Sequence, residues 1–172
     1  MRKELIIVDN FLTNPDEARA WGLDQKFYTS DAHKGHRTRS VDHYEHQEDE
    51  GRWADIIGCS TLKPAGAYGE FTYMASTDPV VYHQDPFDWG CVIYLNPDAP
   101  LTAGTSIWRP HNELNPFQGG FFDRTKFDLV DQIGNVYNRA TFWRGTNTHS
   151  ATEYFGVDKE TARLTQHYFW NE

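Results

Sequence analysis

Residues 80–96 read VVYHQDPFDWGCVIYLN, and this stretch decides how the rest of the chain is understood. Its second half, WGCVIYLN at 89–96, is a near-continuous apolar run of strand length, the pattern of a strand buried on both faces. Its first half, VVYHQD, reads as another β-rich piece. On an extended strand, positions i and i+2 project to one side, so His83 and Asp85 can converge on a single point. The stretch therefore sets two polar, metal-competent groups directly against a β core.

Working outward, AYGEFTYMAS at 67–76 alternates aromatic and small residues as a strand, and Gly104–Trp108 reads as a short strand after a Pro- and Ala-rich turn. VYNRATFWRG at 136–145 and THSA at 148–151 continue the strand signal. An exposed loop, TEYFGVDKE, then leads to a last strand, ARLTQHYFW at 162–170. Residues 110–135 form an irregular excursion in which KFDLVDQIGN is expected to hold a helical turn or two. Upstream, ELIIVDNF reads as a strand and NPDEARAWGLDQ as a helix: Asn14 as cap, Pro15 in the first turn, Asp16 and Glu17 at the positive end. Ala18, Ala20, Trp21 and Leu23 form its expected buried side. The polar, histidine-rich stretch 28–50 reads as irregular structure before a short helix at Arg52–Ile57.

Many short strands after N-terminal helices, with no regular βα alternation and no glycine-rich phosphate loop, argue against a doubly wound nucleotide-binding sheet. The predicted fold is mainly β with flanking α-helices, a double-stranded β-helix or jelly roll. A single domain spans 1–172, with helical support at about 1–65 and the jelly-roll core at about 66–172.

Composition narrows the function. In 172 residues there are 16 Lys and Arg against 25 Asp and Glu, a formal charge of −9, which disfavours general nucleic-acid binding. The two cysteines, Cys59 and Cys91, cannot build a thiolate-rich zinc cluster and give little support for a disulfide-stapled fold. No stretch is long and apolar enough to span a membrane, and nothing near Met1 resembles a signal peptide; the expectation is a soluble, cytoplasmic or otherwise intracellular protein.

His83 and Asp85 need a third ligand. His149 lies where a strand reaches an accessible turn; His111, in the excursion, and His167, on the last strand, are rivals. Two imidazoles and one carboxylate suit iron(II) and leave three octahedral positions open. Arg163 and His167 share a face of the last strand. A guanidinium fork can hold a carboxylate through two hydrogen bonds, and an interior arginine is costly without an anion.

The order His83–x–Asp85, His149, Arg163 resembles the 2-oxoglutarate and iron(II)-dependent dioxygenases, above all their prolyl hydroxylase-like branch. IYLN at 93–96 resembles the strand after that family's HxD motif, Gly104–Thr105 its turn before a strand, and IIVDNFLTNPDEAR its N-terminal strand and helix. The resemblance implies that His83, Asp85 and His149 bind iron(II) and that Arg163 pairs with the far carboxylate of 2-oxoglutarate. It also implies that Tyr94 and Tyr73 line the cosubstrate pocket. Molecular oxygen is the second cosubstrate, ascorbate a candidate reductant, and the implied products are succinate, carbon dioxide and a hydroxylated aliphatic carbon, prolyl or related. Two departures stand out: a long His149-to-Arg163 interval and the 110–135 excursion.

The expected substrate is a peptide or small molecule. Phe87 and Trp89 are candidates for a rim behind the metal motif, and Trp108 and Arg109 for another strand end near the mouth. His33, Gly35, His36, Arg37 and Arg39 could form a lid. Arg139 and Arg144 fit structural ion pairs, and Asn138 and Thr165 either polar wall positions or internal hydrogen bonding. A non-enzymatic jelly-roll binding or structural protein, and a cupin-like metal oxidase without 2-oxoglutarate, are the competing readings.

Overall fold

The computed structural model describes residues 4–30, 34–39, 50–111 and 123–172. In chain order the elements are β1 (Leu5–Val8), α1 (Pro15–Asp24), β2 (His36–Arg37), α2 (Glu50–Ile57), β3 (Lys63–Pro64), β4 (Glu70–Met74), β5 (Trp89–Tyr94) and β6 (Thr105–Pro110). A 3-10 turn (Arg124–Lys126), β7 (Phe127–Ile133), β8 (Ala140–Arg144), β9 (Thr148–Ala151) and β10 (Arg163–Asn171) complete them.

The molecule is a mixed α/β fold dominated by two antiparallel sheets. The larger has the order β1-β8-β5-β10-β4-β2, with β3 on the end of β10; the smaller is β7-β6-β9. Strand pairing does not join them into a closed barrel among the described residues. β5 is buried along its whole length, as its apolar run requires, because helices cover one face and the smaller sheet's side the other. On the helix side, Phe11, Ala18, Trp53 and Ile57 pack with Phe71, Trp89, Phe142, Leu164 and Trp170. On the other side, Val92, Tyr94 and Trp143 meet Ile107 and Ile133.

Several expectations are corrected. In KFDLVDQIGN only Lys126 belongs to a helical turn, the 3-10 turn it ends: Phe127–Ile133 is strand β7, paired with β6, its middle residues exposed and its end residues Phe127 and Ile133 buried. Its register against β6 shifts between Ile107 and Trp108, where Val130 is left without a partner in the ladder. VVYHQD is not a continuous strand; it touches the smaller sheet through an isolated bridge from His83 to His149. In α1, Pro15 and the acidic first turn stand as expected, but Asn14 makes no side-chain cap bond. Ala20 points to solvent, and the inward face is Ala18 and Gly22 with Trp21 and Leu23 beside them. Part of the histidine-rich stretch is ordered as β2, which extends the larger sheet beyond β4. Residues 112–122 and His33 lie outside the described residues. Cys59 and Cys91 are both free, and no described helix is long and apolar enough to cross a membrane.

Candidate active site

The His83–His149 bridge is a reciprocal backbone pair. The His83 amide donates to the His149 carbonyl at 3.1 Å and the His149 amide returns the bond at 2.8 Å. This puts two side chains 66 positions apart in the sequence opposite each other, with ring centroids 4.4 Å apart. The Asp85 amide donates to the carbonyl of Gly145, in the turn between β8 and β9, at 3.0 Å. A Cβ on Gly145 would lie 1.8 Å from the Phe87 carbonyl oxygen, so only glycine lets that turn close onto the Asp85 segment.

One ligand atom each from His83, Asp85 and His149 falls within 4.8 Å of the others. His83 Nε2 is 3.7 Å from Asp85 Oδ1, and His149 Nε2 is 3.4 Å from Asp85 Oδ2. The Nδ1 of His83 lies 3.1 Å from the Val81 carbonyl and that of His149 3.0 Å from the Asn147 carbonyl. A carbonyl only accepts, so each Nδ1 donates to its carbonyl and each Nε2 is left on the Asp85 side. Burial lowers the pKa of His149 to about 4, with Asp85 opposing the shift, so the ring is neutral at physiological pH. Trp143 Nε1 donates to Asp85 Oδ2 at 3.1 Å, and its ring lies 4.5 Å from that of His149. Two imidazoles, a carboxylate and outer hydrogen bonds that fix all three are the donor set an octahedral iron(II) accepts. The residues fit the ion.

The triad faces a cavity of about 1000 Å³ that Arg163 also lines. Arg163 is buried, its Nε donating to the Ala103 carbonyl at 3.0 Å and its Nη2 to that of Gly104 at 3.3 Å. Tyr94 stands behind it: the guanidinium lies 5.4 Å over the ring, and the hydroxyl donates to Thr105 at 2.7 Å. Thr105, not Tyr94, reaches the cavity wall. Leu164 turns into the helix-side core, as alternation with Arg163 requires.

The structure does not bring the other expected residues together equally. Tyr73 is on the opposite face of β4 from Thr72 and Met74, stacked on His36 and packed against Phe27, away from the cavity. Trp89 is fully buried on the helix side, its Nε1 bonded to Glu172. Trp108 packs with Tyr82 and Phe127, and neither it nor Arg109 lines the cavity. Phe87 does, as do Gly35, Arg37 and Arg39. His167 lines it too, bonded to Thr165 at 2.9 Å, with burial and the nearby Arg37 and Arg163 holding its pKa well below the usual value. His111 pairs with exposed Asp128. Arg139 pairs with Asp9, Arg144 with Glu172, and Asn138 bonds the Leu12 backbone twice. Sequence reading missed Trp143, Thr105 and Tyr154; the last sits in a loop expected to be exposed yet lines the cavity.

No family model matches the sequence, and no curated protein matches it. Solved structures do match. A prolyl hydroxylase from Trichoplax adhaerens, in complex with a hypoxia inducible factor peptide, superposes with a TM-score of 0.58 at 12% identity, covering 98% of this chain and 84% of that one. An oxidoreductase of the 2OG-Fe(II) oxygenase family from Burkholderia pseudomallei gives 0.60 at 12% identity, with the same coverage. The chain shares the fold of these structures. The α-ketoglutarate-dependent epimerase SnoN of nogalamycin biosynthesis shares it too, at 0.58 and 16% identity over 99% of this chain and 77% of that one.

Proposed function

We propose that this chain is an iron(II)- and 2-oxoglutarate-dependent oxygenase, built as one double-stranded β-helix domain, that hydroxylates an aliphatic carbon of a peptide or small molecule. The observation that carries the reading is the meeting of His83, Asp85 and His149 in a cavity that also holds Arg163. Iron(II) with 2-oxoglutarate and oxygen supplies an oxidative decarboxylation that gives succinate and carbon dioxide and leaves one oxygen atom for the substrate. The protein's share is placement. His83 and His149 present their Nε2 atoms, Trp143 fixes Asp85, and Arg163 offers its guanidinium to the remote carboxylate of the cosubstrate. Tyr94 positions Thr105 and backs the guanidinium. Arg163 favours this reading over a direct metal oxidase, which needs no dicarboxylate anchor, and the triad favours it over a non-enzymatic binding protein. Ascorbate would serve only to keep the iron reduced.

The test is an anaerobic titration with iron(II) and 2-oxoglutarate, followed through the weak visible band of the chelate. Wild-type protein should show the band; Asp85→Ala and His149→Ala should abolish it, and Arg163→Ala should raise the cosubstrate concentration it needs. A wild-type protein without the band, or three variants that all keep it unchanged, would overturn the assignment.

A further inference from the structure

The cavity contains a second guanidinium for which the proposed chemistry has no task. Arg37 on β2 is in register with Thr72 on β4, and both side chains face the cavity. Its Nε is buried and has no hydrogen-bond partner among the described residues. Arg163 differs, since two of its nitrogens are held by backbone carbonyls. Burial works against the charge of Arg37, and Glu70, Asp85 and Tyr154 favour it. A desolvated guanidinium with an open donor is unfavourable until an anion completes it.

Its neighbours have the same sign. KGHRTR at 34–39 places three cations in six residues with no acid, and Lys34, Arg37 and Arg39 all line the cavity. Gly35, at φ +81°, carries the bend into β2. The acidic side chains on the wall are Glu70 and Asp85, and Asp85 belongs to the triad. A chain with net charge −9 thus turns a cationic segment towards this one cavity. Arg39 rests on the Tyr28 ring at 4.3 Å and is exposed, which leaves Arg37 as the more enclosed of the two.

We propose that Arg37 anchors the substrate, and that the substrate is an organic molecule carrying an oxyanion, a carboxylate or a phosphate. The inference rests on the oxygenase reading of the same cavity and divides its two more enclosed guanidinium groups between two anions: Arg163 takes the cosubstrate and Arg37 the substrate. A planar fork reads either oxyanion through paired hydrogen bonds. Lys34 and Arg39 at the mouth add attraction without fixing orientation.

Calorimetry tests this at constant ionic strength with propionate, methyl phosphate and, as a neutral control, propionamide. Each is titrated into protein loaded anaerobically with iron(II) and 2-oxoglutarate, and again into metal-free protein. Wild type should bind at least one anion and not propionamide, and the tighter of the two identifies the oxyanion. Arg37→Gln should weaken that binding about tenfold or more while keeping the chelate band, and Arg37→Lys should recover part of it. Circular dichroism verifies that both variants are folded. Equal binding of propionamide, unchanged anion affinity in Arg37→Gln, or loss of the chelate band in that variant would each overturn the proposal; the last would assign Arg37 to the cosubstrate. If wild type lacked the band yet bound the anion through Arg37, the anion site would stand and the oxygenase reading would fall.

Discussion

Asp85 is the residue on which the site turns, because it offers one oxygen towards each histidine and takes a hydrogen bond from Trp143. Trp143→Phe keeps an aromatic ring beside His149 and removes only the donor. Its iron(II) affinity should fall by roughly 10- to 100-fold, the usual cost of losing an outer-sphere partner; a metal titration that gives the wild-type constant would show that the bond is idle. Neither Trp143 nor Thr105 was legible in the sequence. A tryptophan in a run of apolar strand residues reads as core, and only its indole nitrogen, which faces the carboxylate, gives it a second task. Tyr73 failed for the converse reason: its residue type suited the pocket, but the pleat placed Thr72 and Met74 there.

At the scale of elements, one connection holds a ligand in place and another ties the N-terminal segment to the sheet. The turn from β8 to β9 lies on the backbone of Asp85 and Phe87, where a Cβ on Gly145 would overlap the Phe87 carbonyl. Gly145→Ala should therefore displace the Asp85 segment and weaken the iron–2-oxoglutarate chelate band; an unchanged titration would show that the turn yields cheaply. The second connection joins the N-terminal segment to the strand side. Asn138, buried and at φ 60°, accepts from the Leu12 amide at 2.7 Å and donates to the Leu12 carbonyl at 2.9 Å. Asn138→Ala leaves both backbone groups unpaired and strains the left-handed position, so denaturant unfolding should show a loss of about 2–4 kcal/mol. The edge strand β7 was misread because its exposed middle carries mixed polarity. Only its pairing with β6 makes it a strand.

For the whole molecule, the triad links the two sheets: His149 is on β9 of the smaller one, and the Asp85 segment is bonded to the turn that leaves β8 of the larger. An ion bound there stabilises only the folded state. At a concentration 100 times its Kd it adds about 2.7 kcal/mol, which for a chain of this size corresponds to a rise in Tm on the order of 5–10 °C. Anaerobic iron(II) should produce that shift, a chelator should reverse it, and His149→Ala should lose it. A wild-type Tm indifferent to the metal would count against a site between the sheets.

The sequence alone determined the β character of the core, the buried strand at 89–94, the two N-terminal helices and the candidacy of His83, Asp85, His149 and Arg163. The strands and helices follow from local periodicity, and the four candidates from side-chain chemistry together with an order along the chain that resembles a known family. Tertiary structure decided which histidine faces His83, which tyrosine turns away from the cavity, and that Arg37 enters it beside Arg163. Such choices depend on strand register between segments far apart in the chain, and a shift of one residue in that register would send every side chain to the other face.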